Sequence, residues 1–532
     1  MLKKIPHTYV LIFYIIIFSA ILTWIIPGGN YQRETKVING EPREVIINNT
    51  YTQADSEAQS WQIFTALFKG FTDKGGIIVF IFMVGGAFMI VTESRAIDQG
   101  IYSFLRKTEK LKRLKLFKNI NINNLILVII MLIFSLFGAI FGMSEETIPF
   151  VMILVPLAIS MGYDSITGVS MVFLAAGFGF AGAFLNPFTV GIAQGIAEIT
   201  PLFSGIEYRF FAWVIINVLG ITYVLRYANK VYKSPEKSFV YEEDEYWRKS
   251  GRNKTETLPE LSQKPAWIAY AISLASLIAF SIAYPESVMQ LGSSKIRFAF
   301  IPVLTGLYAV INIFIIRKSA RYFVITMLGF SILFLVVGVM SYGWYVEKIA
   351  AMFFALGIMS GIAVGYSPNK IATTFIKGVK DIAGAALVVG LAGGIIEILN
   401  DGKIIDTILY SISGSIADFG KIASISIMYF FQTLLNLFIP SGSGQAALTM
   451  PIMAPLSDLL GISRQAAVTA FQFGDGFTNM ITPTSGVLIG VLGVAKVPYE
   501  KWFKFIFPLI LMVAILACLL LIPTVTMELN GY

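Results

Sequence analysis

Apolar residues along the chain gather into long blocks separated by short polar stretches, with almost none of the alternation that marks a half-buried strand. A helix needs roughly 20 mostly apolar residues to cross about 30 Å of hydrocarbon. Blocks approaching that length run over 9–26, 76–91, 125–141, 211–224, 267–283, 298–316, 322–340, 350–364, 382–399, 422–438 and 503–522. This pattern predicts an all-α protein that crosses a membrane many times. The first block follows Lys3 and Lys4 as a signal peptide would, but it is long and ends at Pro27-Gly28-Gly29 without a small-residue cleavage pattern. It is read as a retained helix.

The polar intervals differ in kind. Residues 30–59 carry mixed charge and Asn/Thr clusters, too hydrophilic for lipid, and read as an external loop. Residues 227–264 are rich in both charge signs and read as a cytoplasmic linker. Two further regions, 142–199 and 440–494, hold shorter apolar pieces interrupted by Gly, Pro and Ser. Broken helices at membrane depth survive only where protein or a water-filled cavity satisfies their free backbone groups, so function is expected there.

The chain also resembles itself. Gly85-Gly86, Ile90, Ile97-Asp98 and Tyr102-Ser103 recur at constant offset as Gly393-Gly394, Ile398, Ile405-Asp406 and Tyr410-Ser411, and Glu93 and Arg95 match Asp401 and Lys403. Farther on, Ser144-Glu145-Glu146 aligns with Ser443-Gly444-Gln445, Pro156 with Pro455 and Gly162 with Gly461. After a slip of two residues, Gly177 to Phe180 aligns with Gly474 to Phe477, and Asn186-Pro187 with Thr482-Pro483. Ordered agreement over two broken regions is the mark of a transporter built from repeats. The loop after the first copy holds Arg95, Arg106, Lys107, Lys110, Lys112, Arg113, Lys115 and Lys118, whereas its counterpart, 402–424, holds only Lys403 and Lys421. By the positive-inside rule the copies face opposite sides, an inverted repeat, with the N-terminus in the cytoplasm. The expected organisation is an N-terminal helix and loop (1–75), a first repeat (76–226), the linker (227–265), additional scaffold helices (266–380) and a second repeat (381–532).

Composition narrows the function. Of 532 residues 56% are hydrophobic and 14% charged, against about 25% charged in soluble domains. One histidine, His7, and one cysteine, Cys518, leave no basis for a His/Cys metal site, a disulfide framework or a His-based triad. The net charge of +8 is distributed in short runs between spans and reports orientation, not nucleic-acid binding. There is no Walker sequence, nucleotide fingerprint or HExxH. Neither an enzyme nor a cofactor is expected, and gradient-driven transport is.

In inverted-repeat carriers, half-helix N-termini and unwound backbone converge on the substrate. Two candidate tips are Gly142 to Thr147, with Ser144, Glu145, Glu146 and Thr147, and Ser441 to Gln445, with Ser441, Ser443 and Gln445. Exposed amides and hydroxyls at such helix starts can hold a carboxylate. The breaks at Asn186-Pro187 and Thr482-Pro483 add Asn186, Thr189, Thr482, Thr484 and Ser485, with Asn479 just before the second. Acids are costly at membrane depth. For Glu145 and Glu146 the bland reading is helix capping. Asp475, in Gln472-Phe473-Gly474-Asp475-Gly476-Phe477, is either a surface Asp-Gly turn or a site acid. Glu397 sits nearer a span end, where an interfacial acid is equally well accommodated.

The runs Phe141 to Glu146, Gly162 to Thr167, Asn186-Pro187-Phe188, Ala193 to Ala197, Ser441 to Pro451 and Phe471 to Phe477 closely resemble the YfcC-type family of basic amino acid antiporters, over nearly the whole chain. That family is grouped with arginine/ornithine exchangers and, more distantly, with anaerobic C4-dicarboxylate carriers of the ion transporter superfamily. The resemblance implies two inverted repeats each with a re-entrant hairpin and broken helix, a homodimer in the bacterial inner membrane, and elevator-like movement. It makes the two hairpin tips Ser144 to Thr147 and Ser441 to Gln445. An acidic tip facing an uncharged one suits a substrate with a cation at one end and a carboxylate at the other.

The leading expectation is an antiporter for basic amino acids, with H+ or Na+ as a candidate coupling ion. The alternative is a carrier of C4-dicarboxylates or other organic anions. That reading calls for basic residues in the core, yet only Arg209, Arg464 and Lys496 lie near the broken regions. A channel, a scaffold or an intramembrane enzyme would leave the repeat and the buried acids without a purpose.

Overall fold

The computed structural model describes residues 8–38, 41–47, 49–100, 103, 121–201, 203–250, 261–291, 294–416 and 419–532. The basic loop used to assign orientation falls outside the described residues except for Arg95, Ala96 to Gly100 and Ser103. Among the described residues, seven helices are long and apolar enough to cross a membrane: Gly75–Glu93, Ile122–Ile140, Ile206–Lys233, Lys264–Ala283, Ala320–Tyr342, Val346–Ala363 and Tyr499–Thr526. An eighth candidate is the long helix Pro368–Asp401, bent by 44° near its middle. The apolar block 382–399 is the second limb of that bent helix.

Between these lie helices too short to span. Thr147–Ser160 and Gly486–Ala495 have 14 and 10 residues, which at about 1.5 Å per residue reach roughly 21 and 15 Å. Polar side chains start them. Asp164 accepts from Thr167 N at 2.8 Å and opens the helix Ser165–Ala181, which contains a π-helical turn at Ser170–Leu174. Ser441, Ser463 and Ser485 cap Gly442–Leu459, Arg464–Thr478 and Gly486–Ala495. Each hydroxyl satisfies one of the amides that a helix start leaves open.

The internal repeat is written into the backbone. Left-handed residues recur at matching places: Arg95 and Lys403 (φ 58° and 57°), Gly162 and Gly461 (91° and 62°), and Glu198 and Lys496 (55° and 60°). Four of these six carry a side chain in a conformation that L-residues seldom adopt. The order of elements repeats as well, since Ile122–Phe141, Thr147–Ser160 and Ser165–Ala181 correspond to Lys421–Asn436, Gly442–Leu459 and Arg464–Thr478.

The halves meet through close backbone contact. A Cβ on Gly476 would lie 2.4 Å from Ala181 Cα, so the helices Ser165–Ala181 and Arg464–Thr478 touch main chain to main chain. The repeated Gly-Gly pairs form the other seam. Gly393 and Gly394 abut Gly70 on the helix Gln62–Asp73, and Gly85 and Gly86 abut Ile382 and Phe375. In lipid, where burial of apolar area gives little between helices, small residues allow the approach that dispersion needs.

Two polar segments dock on this body. Residues 30–59 form antiparallel strand pairs rather than an open loop, Gly29–Asn30 with Thr52–Gln53 and Arg33–Ile38 with Glu41–Ile46. Arg33 Nη2 clasps Asp406 Oδ1 and Oδ2 at 2.9 and 3.0 Å, and Tyr51 stacks on Tyr410 at 4.1 Å. The described part of the linker packs onto the membrane body. Asp244 Oδ2 accepts from Ser165 N at 3.0 Å, Ser238 Oγ donates to Asp164 Oδ2 at 2.7 Å, Trp247 Nε1 donates to Ala495 O at 3.0 Å, and Lys501 pairs with Glu243 at 3.5 Å. One short segment thus straps a helix start of the first repeat to a helix end of the second.

Candidate functional site

Asp475 lies inside the helix Arg464–Thr478 and is fully buried, so the surface-turn reading of Asp475-Gly476 does not hold. Its neighbours explain its placement. A Cβ on Gly474 would sit 2.6 Å from Gln432 Cβ, and Gly476 faces Ala181. The two glycines let neighbouring helices close on either side, while the intervening carboxylate turns toward the start of the second hairpin. There Oδ1 accepts from Asn436 Nδ2 at 2.7 Å and from Asn479 Nδ2 at 2.9 Å. Oδ2 has no partner.

The second tip comes directly onto that oxygen. A Cβ on Gly442 would lie 2.8 Å from Asp475 Oδ2 and 2.6 Å from Thr189 Cγ2. Thr189 belongs to the π-helical turn Pro187–Gly191 of the first repeat and is buried, with Oγ1 unpartnered. Asn186 begins that turn, accepting from Phe188 N at 2.9 Å through Oδ1 and leaving Nδ2 unpartnered. Its side chain in turn faces the first tip, since a Cβ on the left-handed Gly142 (φ 69°) would fall 2.6 Å from Asn186 Oδ1. The segment Asn186 to Thr189 therefore touches both tips. Asp475 and the pair Asn186 and Thr189 are brought together from two sequence-distant segments.

Behind Asp475 runs a chain of buried amides. Asn436 Nδ2 also donates to Gln445 Oε1 at 2.8 Å, and Gln445 Nε2 donates to Gln432 Oε1 at 2.6 Å and Gln432 O at 2.9 Å. Gln445 thus faces inward as a brace of the tip. Sequence reasoning missed Gln432 and Asn436, although two amides four residues apart in an otherwise apolar helix share one face.

Other expected site groups serve the local backbone. Ser441 Oγ accepts from Gly444 N at 3.3 Å and Ser485 Oγ from Leu488 N at 3.4 Å. Thr482 and Thr484 share a hydroxyl contact of 2.7 Å, and Thr484 donates to Leu437 O at 2.7 Å. Ser443 lies half-buried in the first turn of the Gly442 helix. Thr147 Oγ1 returns to Ser144 O at 2.5 Å. The two acids of the first tip divide. Glu146, buried, accepts from Ser144 N at 2.9 Å within the tip, ahead of the helix Thr147–Ser160, while half-buried Glu145 accepts from Tyr345 Oη at 3.2 Å. Their hydrogen bonds run to the tip itself and to Tyr345, not to the residues around Asp475.

The basic residues near the broken regions have partners elsewhere. Arg209 donates to Gln465 Oε1 at 2.5 Å, Arg464 pairs with Asp458 at 2.8 Å and Glu198 at 3.4 Å, and Lys496 pairs with Asp381 at 2.7 Å. The surroundings of Asp475 are one carboxylate, amides, hydroxyls and helix starts. Such a set can neutralise a cation at the acid and hold an anion on free amides.

Comparison with known proteins identifies the family of the chain. The family model described as C4-dicarboxylate anaerobic carrier, DcuC, matches residues 5–526. An Escherichia coli K12 protein named "Putative basic amino acid antiporter YfcC" is 32% identical over 537 residues, covering 94% of this chain and 92% of that protein. An uncharacterized Haemophilus influenzae Rd protein is 27% identical, covering 98% and 96%. Among solved structures, the Alcanivorax borkumensis YdaH transporter aligns with a TM-score of 0.38 at 16% identity, covering 97% of each chain. Neisseria gonorrhoeae MtrF aligns with a TM-score of 0.38 at 17% identity, covering 99% and 96%. The match along nearly the whole length, by family model and by relatives, makes this chain a multi-pass secondary transporter that belongs to the DcuC family and is of the YfcC type.

Proposed function

We propose that the protein is an antiporter for basic amino acids of the arginine and ornithine kind, working by elevator-type alternating access. The observation that carries this reading is Asp475, a fully buried carboxylate with one oxygen unpartnered and aimed at the second hairpin tip. A buried carboxylate without a cationic partner is costly, and a substrate cation removes that cost during each occupied half-cycle. The substrate carboxylate then lies on the amides of the Ser441 to Gln445 tip, where the helix start favours negative charge. H+ or Na+ could take the place of the cation on the empty return. The name of the E. coli relative supports the substrate class.

The description of the family model favours a second reading, a C4-dicarboxylate carrier. Against it stands the pairing of Arg464 and Lys496 with other acids and the placement of Arg209 on Gln465, so that the groups contacting Asp475 are neutral amides and offer a dicarboxylate no countercharge. We place the protein in the bacterial inner membrane as a homodimer with a cytoplasmic N-terminus. Purified protein in liposomes preloaded with arginine should take up labelled arginine by exchange, while succinate and fumarate neither compete nor exchange. Exchange driven by succinate with arginine inert would overturn the proposal.

A further inference from the structure

Glu145 and Glu146 are adjacent, and Glu145 reaches beyond the tip to Tyr345, two hundred residues away in sequence. Tyr345 stands in the turn between the helices Ala320–Tyr342 and Val346–Ala363. That turn is built to present it. Gly343 is left-handed (φ 59°), Trp344 folds back so that a Cβ on Gly338 would lie 2.2 Å from Trp344 Cδ2, and Tyr345 is extended (φ −128°, ψ −167°). Trp344 is thereby seated on its own helix while the Tyr345 ring projects, 57% exposed.

The result is a carboxylate beside a largely exposed tyrosine, on an element that comes from neither broken region. None of the ion pairs among the described residues includes Glu145. A carboxylate next to an accessible ring is the pairing that recognises a cation twice, by charge and by the negative face of the ring. A planar guanidinium gains most, because it can stack on the ring while forking onto the carboxylate, whereas a compact ammonium behaves as a point charge.

We propose that Tyr345 and Glu145 form a cation subsite at the first hairpin tip, and that Tyr345 is a specificity-determining residue that favours guanidinium over ammonium side chains. This rests on the reading as a basic amino acid exchanger and adds to it a residue outside both hairpins. On arrival of the substrate the Tyr345 hydroxyl gives up Glu145, and the carboxylate and the ring take the side-chain cation together, while the α-ammonium is the cation at Asp475.

The test is the exchange kinetics of arginine and ornithine in proteoliposomes for the wild type and for Tyr345→Ala, Tyr345→Phe and Glu145→Gln. Tyr345→Ala should raise KM for arginine about tenfold and for ornithine clearly less, with maximal rate little changed. Tyr345→Phe, which keeps the ring, should recover most of the arginine affinity. Glu145→Gln should raise KM for both substrates. Equal losses in the Phe and Ala variants, or a fall in maximal rate with KM unmoved, would show that the contact is only a latch between elements and overturn the subsite. The wild type decides the underlying reading separately. If it exchanges neither arginine nor ornithine, the antiporter proposal fails and the subsite with it. If it exchanges both and the variants do not discriminate, only the subsite fails.

Discussion

Replacing Asp475 by asparagine separates charge from structure at the centre of the site. The side chain keeps its shape, and its Oδ1 can still accept from Asn436 Nδ2 and Asn479 Nδ2, now at 2.7 and 2.9 Å. The new Nδ2 takes the position of Oδ2, which has no hydrogen bond to lose. Stability should therefore change by less than about 1 kcal/mol. Transport should weaken steeply, because a charge-assisted hydrogen bond to the substrate cation contributes about 1.5–3 kcal/mol, or roughly 10- to 150-fold in affinity. Asp475→Ala behaves differently. It takes one acceptor from each of buried Asn436 and half-buried Asn479 and leaves a cavity in the packed helix, so it loses stability as well as exchange. Thermal unfolding of the purified protein, read beside the arginine exchange KM in proteoliposomes, resolves the two effects. Wild-type exchange by Asp475→Asn would remove the acid from the site, and an Asn variant that melts as early as the Ala variant would show that the charge itself holds the fold.

Gly442→Ala places a methyl group 2.6 Å from Thr189 Cγ2 and 2.8 Å from Asp475 Oδ2, about 1 Å inside ordinary contact. It should lower exchange efficiency at least tenfold, since a shift of that size at a reacting site can cost about a hundredfold. Gly306→Ala, with nothing within 4 Å of its Cβ, should exchange as the wild type does. The docked linker should depend on pH. Burial pushes the Asp244 carboxyl up to about 7 and the neighbouring Asp164 adds to this, while hydrogen bonds from Ser165 and the charge of Arg248 oppose it. The docked form thus holds a proton that a free linker releases. Docking is strongest below about pH 4, the ordinary carboxyl value, weakens as pH rises toward 7, and is flat above that. Proteolysis between Ser234 and Ser250 should be faster at pH 8 than at pH 5, and Asp244→Asn should remove the difference.

Membrane crossing, the two broken regions and the internal repeat were all legible in the sequence, because each rests on a local or periodic property. Apolar runs set the spans, Gly/Pro/Ser interruptions marked the breaks, and recurrent pairs such as Arg95 with Lys403 and Gly162 with Gly461 reappear as matched left-handed residues. Asp475 was legible as an acid in apolar surroundings, but not its place in mid-helix, since Asp-Gly favours turns locally and only the packing of Gln432 and Ala181 against Gly474 and Gly476 holds it helical. The folding of residues 30–59 into paired strands was hidden for a similar reason, as the clasp of Arg33 on Asp406 joins positions 373 residues apart. Chemical type told which residues could bind a zwitterion, and tertiary structure decided which of them face one another. Ser441 and Ser485 turned to capping, Gln445 to bracing, Glu146 to its own tip and Glu145 to Tyr345, while Asn186 and Thr189 arrived beside Gly142 and Gly442. A hydroxyl or carboxylate looks the same in a sequence whether its partner is the amide three residues on or a substrate. Only the closure of distant helices leaves polar atoms buried without a partner, and around the two tips that condition marks Asp475, Thr189 and Asn186.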